Sequence, residues 1–340
     1  MGYDDRYLIS VVAPVYNESA NIEAFYGRVT DVLQNTAYDY EIIFVNDGSK
    51  DDSMAMLTKL AYKNSKVKVI DLSRNFGKEI ALSAGIDYAS GDAVIPIDAD
   101  LQDPPELIPK LIAKWQEGYD VVYATRTERA GETWLKKYTA HLFYRTINKL
   151  TKIEIPADTG DFRLLSKPVV EALKQMPERN RFMKGLFSWV GFRQTGVQYQ
   201  RDSRNAGKSK YNYSKMWNHA LDGITSFSRV PLQFAAYFGF IVAFTAFIYA
   251  IFIIVRTLFF VHDLPGYPSL ITIILFLGGV QLMTIGILGE YIGRIYNEVK
   301  ERPLYLIRAK YGFSDQTIAP MAKDQETADV FSSISHSFLE

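Results

Sequence analysis

The sequence contains no cysteine, which removes disulfides, thiolate metal sites and cysteine nucleophiles together. Any catalysis falls to carboxylates, bases and hydroxyls. Net charge is missing too: 38 lysines and arginines face 38 aspartates and glutamates. No global basic field can hold nucleic acid, and no nucleic-acid partner is expected. A glycine-rich phosphate cradle of the Walker or dinucleotide type is also absent. The opening Met1-Gly2-Tyr3-Asp4-Asp5-Arg6 has no apolar run and no serine or threonine at position six, so neither secretion nor N-myristoylation is expected there. What remains is ample for a core. The 340 residues are 48% hydrophobic and 14% aromatic, which excludes disordered and fibrous classes.

The mean hydropathy of -0.05 averages over two unlike parts. Residues 232–255 and 264–289 run 24 and 26 positions without a charge, each longer than the roughly 20 apolar residues that cross a bilayer. Arg229 precedes the first run, and Arg294, Lys300, Arg302, Arg308 and Lys310 follow the second. The short connection between the runs holds one aspartate and one histidine. The positive-inside bias puts both ends in the cytoplasm, giving a multi-pass protein of the cell membrane with a large cytoplasmic part. Arg256, near the outer end of the first span, is expected to snorkel to the interface. The boundaries read from this pattern are a soluble domain at 1–211, an amphipathic juxtamembrane helix at 212–230, spans at 231–261 and 269–293, and a short external loop at 262–268. A cytosolic, partly disordered segment follows at 294–340.

Before Arg229, β-rich runs at 8–13, 40–45, 67–72, 93–97 and 119–124 alternate with helical stretches. Strands spaced in this way predict an α/β domain with a mostly parallel sheet flanked by helices. Ligands of such sheets gather at the carboxyl ends of the strands. Those ends read Pro14-Val15-Tyr16-Asn17-Glu18, Asn46-Asp47-Gly48-Ser49, Ser73-Arg74-Asn75-Phe76-Gly77-Lys78 and Asp98-Ala99-Asp100-Leu101-Gln102-Asp103-Pro104-Pro105. Two carboxylates two residues apart on an extended chain point to one side, a geometry suited to a hard divalent cation on phosphates. Pro104-Pro105-Glu106 opens a helix, with Asp103 in the position of its cap.

Together these strand-end segments resemble family 2 glycosyltransferases, which carry a GT-A nucleotide-sugar-binding domain, over residues 7–211. The DADLQDPPE segment, the TGDFRLL segment at 159–165 and the two C-terminal spans narrow the likeness to polyprenyl-phosphate glycosyltransferases. Within that group the chain is most similar to the GtrB-like bactoprenol glucosyltransferase branch, and more distantly to dolichol-phosphate mannose synthase. The resemblance implies a GT-A domain followed by two transmembrane helices. It also implies inverting transfer of a hexose, expected to be glucose from UDP-glucose, to polyprenyl phosphate. Pro14, Tyr16, Glu18 and Asp47 match positions that hold the nucleoside, Asp47 accepting a base N–H. Lys78 matches a basic residue near base and ribose. Asp98 and Asp100 match the pair at ribose and metal, Asp100 being the nearer ligand, with Gln102 on the metal side; Mg2+ or Mn2+ is expected. Arg126, Arg204 and Lys210 match positions at donor and acceptor phosphates, while Lys208 reads as surface.

On the acceptor side Asp161 is the first candidate and Asp158 the second. A phosphate monoester has a second pKa of about 6, so its oxygen needs little deprotonation at neutral pH. Asp161 is therefore expected to orient Arg163 and the acceptor more than to abstract a proton. The lipid acceptor requires the domain to lie against the headgroups. Trp134, Leu135, Tyr138, Leu142, Ile147 and Leu150, interleaved with Lys136, Lys137, Arg145 and Lys149, form an amphipathic basic stripe, and Tyr213, Met216, Trp217, Leu221 and Ile224 form another. Residues 182–192, rich in aromatics, read as acceptor-groove wall or subunit contact. Gly278, Gly279, Gly286, Gly289 and Gly293 allow close helix approach, and a homo-oligomer, by resemblance a tetramer, is expected. A processive polysaccharide synthase and a non-catalytic membrane scaffold are the rival readings. The Q-x-x-R-W motif of the former is absent, and the strand-end aspartates and arginines are intact against the latter.

Overall fold

The computed structural model describes residues 7–126, 156, 159–176, 178–179, 181–199, 230–259 and 266–313. The chain begins with a β-α alternation: β1 (Leu8–Val15), α1 (Ser19–Gln34), β2 (Asp39–Asn46), α2 (Ser53–Lys63), β3 (Val67–Leu72), α3 (Lys78–Asp87) and β4 (Ala93–Pro96). A single 3-10 turn (Pro105–Leu107) leads into α4 (Ile108–Gln116) and β5 (Val121–Arg126). After these come β6 (Thr159–Ser166), α5 (Lys167–Lys174), α6 (Met183–Trp189) and β7 (Gln194–Tyr199). Two long helices, α7 (Val230–Phe259) and α8 (Tyr267–Val299), precede a last strand, β8 (Ile307–Tyr311).

The eight strands form one sheet in the order β7-β5-β6-β4-β1-β2-β3-β8. β1 pairs in parallel with β2 and β4, β2 with β3, and β5 with β7. β6 is antiparallel to both of its neighbours, and β8 is antiparallel to β3. The five strands expected from the sequence are present, and the sheet is the mixed, helix-flanked one of the GT-A fold. β6, β7 and β8 were not expected as strands. The direction of β6 matters for function, because its first residues, Thr159, Gly160 and Asp161, thereby lie at the edge where the parallel strands end.

The central strands are apolar along their length because both faces are covered, as parallel sheets require. One core layer packs Ile22, Phe25, Leu33, Leu57 and Leu111 from α1, α2 and α4 on one face. The other packs Ala81, Leu82, Val169, Leu186 and Phe187 from α3, α5 and α6. In α1 the buried residues Ile22, Phe25, Val29 and Leu33 recur at helical spacing and make the stripe that faces the sheet. α3 lies so close to the sheet that a Cβ on Gly85 would stand 2.2 Å from Val12 Cγ1 and 3.1 Å from Val45 Cγ2.

α7 and α8 each contain a segment long and apolar enough to cross a membrane, Leu232–Tyr249 and Thr272–Val299. Their large side chains point outward: Phe240 is 69% exposed, Leu275 69% and Leu282 72%. Apolar surface on that scale needs lipid around it, so the chain is membrane-associated. The expected cytosolic segment at 294–340 is described as far as residue 313. α8 continues to Val299, and residues 307–311 return as β8 to pair with β3.

Replacing Gly85 by alanine forces a methyl group into Val12, which is fully buried. Equilibrium unfolding of Gly85→Ala should show a loss of about 1–3 kcal/mol, as overpacked cores do. Adding Val12→Ala in the same chain should recover part of it, and stability equal to wild type in the single variant would contradict the packing described.

Candidate active site

The loops after β2 and β3 meet first. Gly48, at φ +66°, lets the β2 loop touch the next one backbone to backbone, since a Cβ there would stand 2.6 Å from both Arg74 C and Asn75 N. Asp47, buried at the end of β2, binds the two loops together. Its carboxylate accepts the Phe76 N–H at 2.7 Å and the Gly77 N–H at 3.0 Å, and its carbonyl accepts from Asn75 Nδ2 at 3.2 Å. Burial raises its pKa, with the two amides and Arg74 opposing. The residue expected to receive a base N–H thus already shapes the loop beside it, and the remaining lone pairs of its oxygens are what it can offer a ligand.

Lys78, the first residue of α3, was expected near base and ribose. Its ammonium lies between two carboxylates, 2.7 and 2.8 Å from the oxygens of Asp98 and 2.6 Å from Asp161 Oδ2. Burial disfavours its charge, but Asp161 and Asp98 outweigh that and hold its pKa well above the lysine range. Burial alone would raise Asp161; Lys78, then Lys184 and Arg163, override it and hold its pKa far below the usual carboxylate range. Asp98 is shifted upward by burial, against the pull of Lys78 and with Asp161 and Asp103 adding to the rise. Asp161 is therefore ionised at neutral pH, and its buried Oδ1 has no hydrogen-bond partner among the described residues.

Asp100 is buried beyond β4 and accepts the Gln102 N–H at 3.1 Å. Between them Leu101 adopts φ +59°, a conformation that a branched side chain holds only at a cost of order 1–3 kcal/mol. The strain falls at the carboxylate pair, where positioning matters most. Among the described residues no group of three or more histidine or acidic side chains has metal-binding geometry. Asp98, Asp100 and Gln102 are nonetheless an all-oxygen set that fits a hard divalent ion completed by water and phosphate oxygens.

Arg126 ends β5 and donates from Nε to the Tyr199 hydroxyl at 3.3 Å, while that hydroxyl donates to Asp103 Oδ1. Burial, then Asp103, pushes the Tyr199 pKa well up. A Cβ on Gly160 would stand 3.4 Å from Arg126 Nη2, so Arg126 lies beside the turn that carries Asp161. Asp103 is not a helix cap: Pro104 occupies that position, with no side-chain cap bond. Arg163, buried on β6, donates to the Gly160 carbonyl at 2.7 Å and stacks 4.1 Å over Phe187. Phe187 gives residues 182–192 a first role, as a wall behind β6.

Pro14 and Tyr16 are half-buried at the end of β1. Glu18 caps α1 by position, accepts from Asn21 Nδ2 at 2.7 Å and donates its own N–H to the Ser53 hydroxyl at 3.1 Å. Lys137, Arg204, Lys210, Lys208, Asp158 and both amphipathic stripes lie outside the described residues. Sequence reasoning missed Glu79, Lys184 and Tyr199. Glu79 follows Lys78 into α3, and burial, then Asp161, lifts its pKa to about 7. Glu79 and Lys184 stand outside the strand-end segments, and Tyr199 ends β7, a strand the sequence did not announce.

A mixed sheet whose ligand edge carries these carboxylates, joined to an apolar helical hairpin, defines a membrane-associated GT-A glycosyltransferase. The chain belongs to glycosyl transferase family 2, whose profile matches residues 10–174, and the GtrB C-terminal hairpin matches 230–295. An uncharacterised glycosyltransferase of Synechocystis sp. is 57% identical over 304 residues, 89% of this chain and 96% of that protein. The SfII prophage-derived bactoprenol glucosyl transferase of Shigella flexneri is 52% identical over 303 residues, 89% of this chain and 98% of that protein. Among solved structures, glucosyl-3-phosphoglycerate synthase of Mycobacterium tuberculosis is 20% identical with a TM-score of 0.45, covering 64% of this chain and 78% of that one.

Glu79 supplies a pH test. A carboxyl raised from 4.5 to about 7 stays neutral in the fold while the unfolded chain ionises. Its stabilising contribution is therefore present below pH 4.5 and lost as pH rises towards 7. Thermal unfolding of Glu79→Gln should match wild type near pH 4 and exceed it at pH 8, whereas parallel curves would remove Glu79 from the charge cluster.

Proposed function

We propose that this enzyme transfers glucose from UDP-glucose to a polyprenyl phosphate at the cytosolic face of the cell membrane, with inversion at the anomeric carbon. The observation that carries the reading is the Lys78 ammonium held between Asp98 and Asp161, which joins a donor-side and an acceptor-side carboxylate in a site tied to a membrane hairpin. A 52% identical relative that is named a bactoprenol glucosyl transferase supports the sugar and the lipid.

In this reading Pro14, Tyr16, Glu18 and Asp47 face the nucleoside. Asp100, with Asp98 and Gln102, would hold Mg2+ or Mn2+, which when bound supplies positive charge to the diphosphate. Arg126, together with Lys137, Arg204 and Lys210, faces donor and acceptor phosphates. An acceptor phosphate oxygen forms the new bond to the anomeric carbon as the bond to the diphosphate oxygen breaks, and the electron pair leaves with the nucleoside diphosphate. In this reading Arg126 stabilises that departing charge. No proton need move, because the acceptor oxygen is ionised near neutral pH. Asp161, held far below the carboxylate range by its cationic neighbours, is a weak base; it serves to fix Lys78 and to accept a hydroxyl of the bound sugar. Copies of the chain assemble, as a tetramer, through the face of α8 on which a Cβ at Gly278, Gly279, Gly286, Gly289 or Gly293 meets nothing within 4 Å.

Purified protein given polyprenyl phosphate and UDP-glucose should yield a β-linked glucosyl lipid phosphate, identified by mass and anomeric coupling; an α-linked product would reject direct displacement. Asp161→Asn should lose at least about a hundredfold in kcat, equally at pH 6 and pH 8, since orientation does not titrate there. Steep recovery by pH 8 would make Asp161 a general base instead.

A further inference from the structure

The strand that follows the membrane hairpin carries a residue aimed at the sugar-donor loops. In the β3–β8 ladder Asp71 pairs with Ala309 and Leu72 with Ile307, so Arg308 is the extra residue of a bulge. Bulges re-aim side chains, often beside active sites. Arg308 Nη2 donates to the Ser73 carbonyl at 2.6 Å, and Nη1 reaches Asp71 Oδ2 at 3.3 Å.

Both contacts lead inward. Asp71 is 4% exposed, and its other oxygen accepts Asn46 Nδ2 at 2.7 Å. Asn46 in turn accepts the Ser49 N–H at 3.2 Å, and the Ser49 hydroxyl accepts the Asn17 N–H at 3.0 Å. Asn17, at φ +53°, turns the β1 end that carries Tyr16. Through Ser73, Arg308 also grips the start of the segment whose Phe76 and Gly77 amides bind Asp47.

We propose that Arg308 is a positioning residue that sets the β1, β2 and β3 loops for the nucleotide sugar; the inference rests on the donor-site reading above. An exposed arginine pair on a surface is ordinarily worth little, and the Arg308 side chain is 59% exposed. Its partner is the reason it counts: a buried carboxylate stripped of one of two partners is costly to keep in place. β8 does not depend on Arg308 for docking. Leu306 accepts the Ser73 N–H at 2.8 Å, the Tyr305 hydroxyl donates to Asp87 at 2.9 Å, and Phe313 packs edge-on against Tyr88.

The test uses the full chain in lipid nanodiscs with UDP-glucose as donor. Arg308→Ala should raise the KM for UDP-glucose about tenfold with kcat within about twofold of wild type, the size of one lost charged hydrogen bond. Without donor, hydrogen exchange at the amides of 47–49 and 73–77 should quicken about tenfold while 309–311 keep the wild-type rate. Arg308→Lys should recover part of both effects, and Lys310→Ala, on the same strand, should show neither. Unchanged KM and loop exchange in Arg308→Ala would overturn the proposal. So would faster exchange across the whole sheet with a lowered Tm, which marks a merely structural residue. If wild-type protein does not turn over UDP-glucose, the donor assignment fails, and the exchange measurement still decides whether Arg308 holds the loops.

Discussion

The site depends on keeping several carboxylates close together without mutual repulsion. Asp98, Asp100, Asp103 and Asp161 gather at one edge of the sheet, where burial penalises every ionised oxygen and each negative charge raises the cost of the next. Lys78 resolves this by placing one ammonium within 2.8 Å of both Asp98 and Asp161. Tyr199, itself bonded by Arg126, donates to Asp103, and Lys184 adds its field at Asp161. The result is a preorganised cluster in which Asp98 and Asp161 share the Lys78 ammonium, Asp100 accepts the Gln102 N–H and Asp103 accepts the Tyr199 hydroxyl.

A second constraint is topological. A wholly parallel sheet would send every strand's carboxyl end to the ligand edge and every amino end away from it. β6 runs the other way, so its first turn, not its last, reaches the site. Asp161 and Arg163 therefore enter beside β4 and β5 although they belong to the start of a strand. At the far edge β8 reverses again and pairs with β3 directly after the membrane hairpin. The Arg179 N–H, bonded to the Glu298 carboxylate at 2.9 Å near the end of α8, is a further tie between the hairpin and the soluble domain. These ties supply stiffness where a flexible linker would let the two drift apart.

Much of this was legible in the sequence, and the reason is local. Five strands announced themselves because buried parallel strands read as continuous apolar runs, and the hairpin because a bilayer tolerates no charge over some twenty residues. The strand-end segments marked the ligand edge because loops there are short and their polar residues have nowhere else to be. β6 escaped notice because Thr159-Gly160-Asp161 reads as a polar motif, and β8 because Arg308 and Lys310 looked like charges flanking a membrane span. Asp103 was misread for a related reason. Its place before two prolines is that of a cap, and only the arrival of Tyr199 from β7, 96 positions away, gives it another partner.

The sequence by itself determined the class of fold, the two helices long and apolar enough to cross a membrane and the residues from which a sugar-donor site could be built, since each follows from patterns within a few tens of residues. Tertiary structure alone decided which charges meet. That Lys78 stands between Asp98 and Asp161, that Asp47 is already bound to loop amides, and that Arg308 reaches Asp71 all depend on contacts 20 to 237 positions apart. The direction of a strand and the register of a ladder set such contacts, and neither is written in the local pattern of the chain.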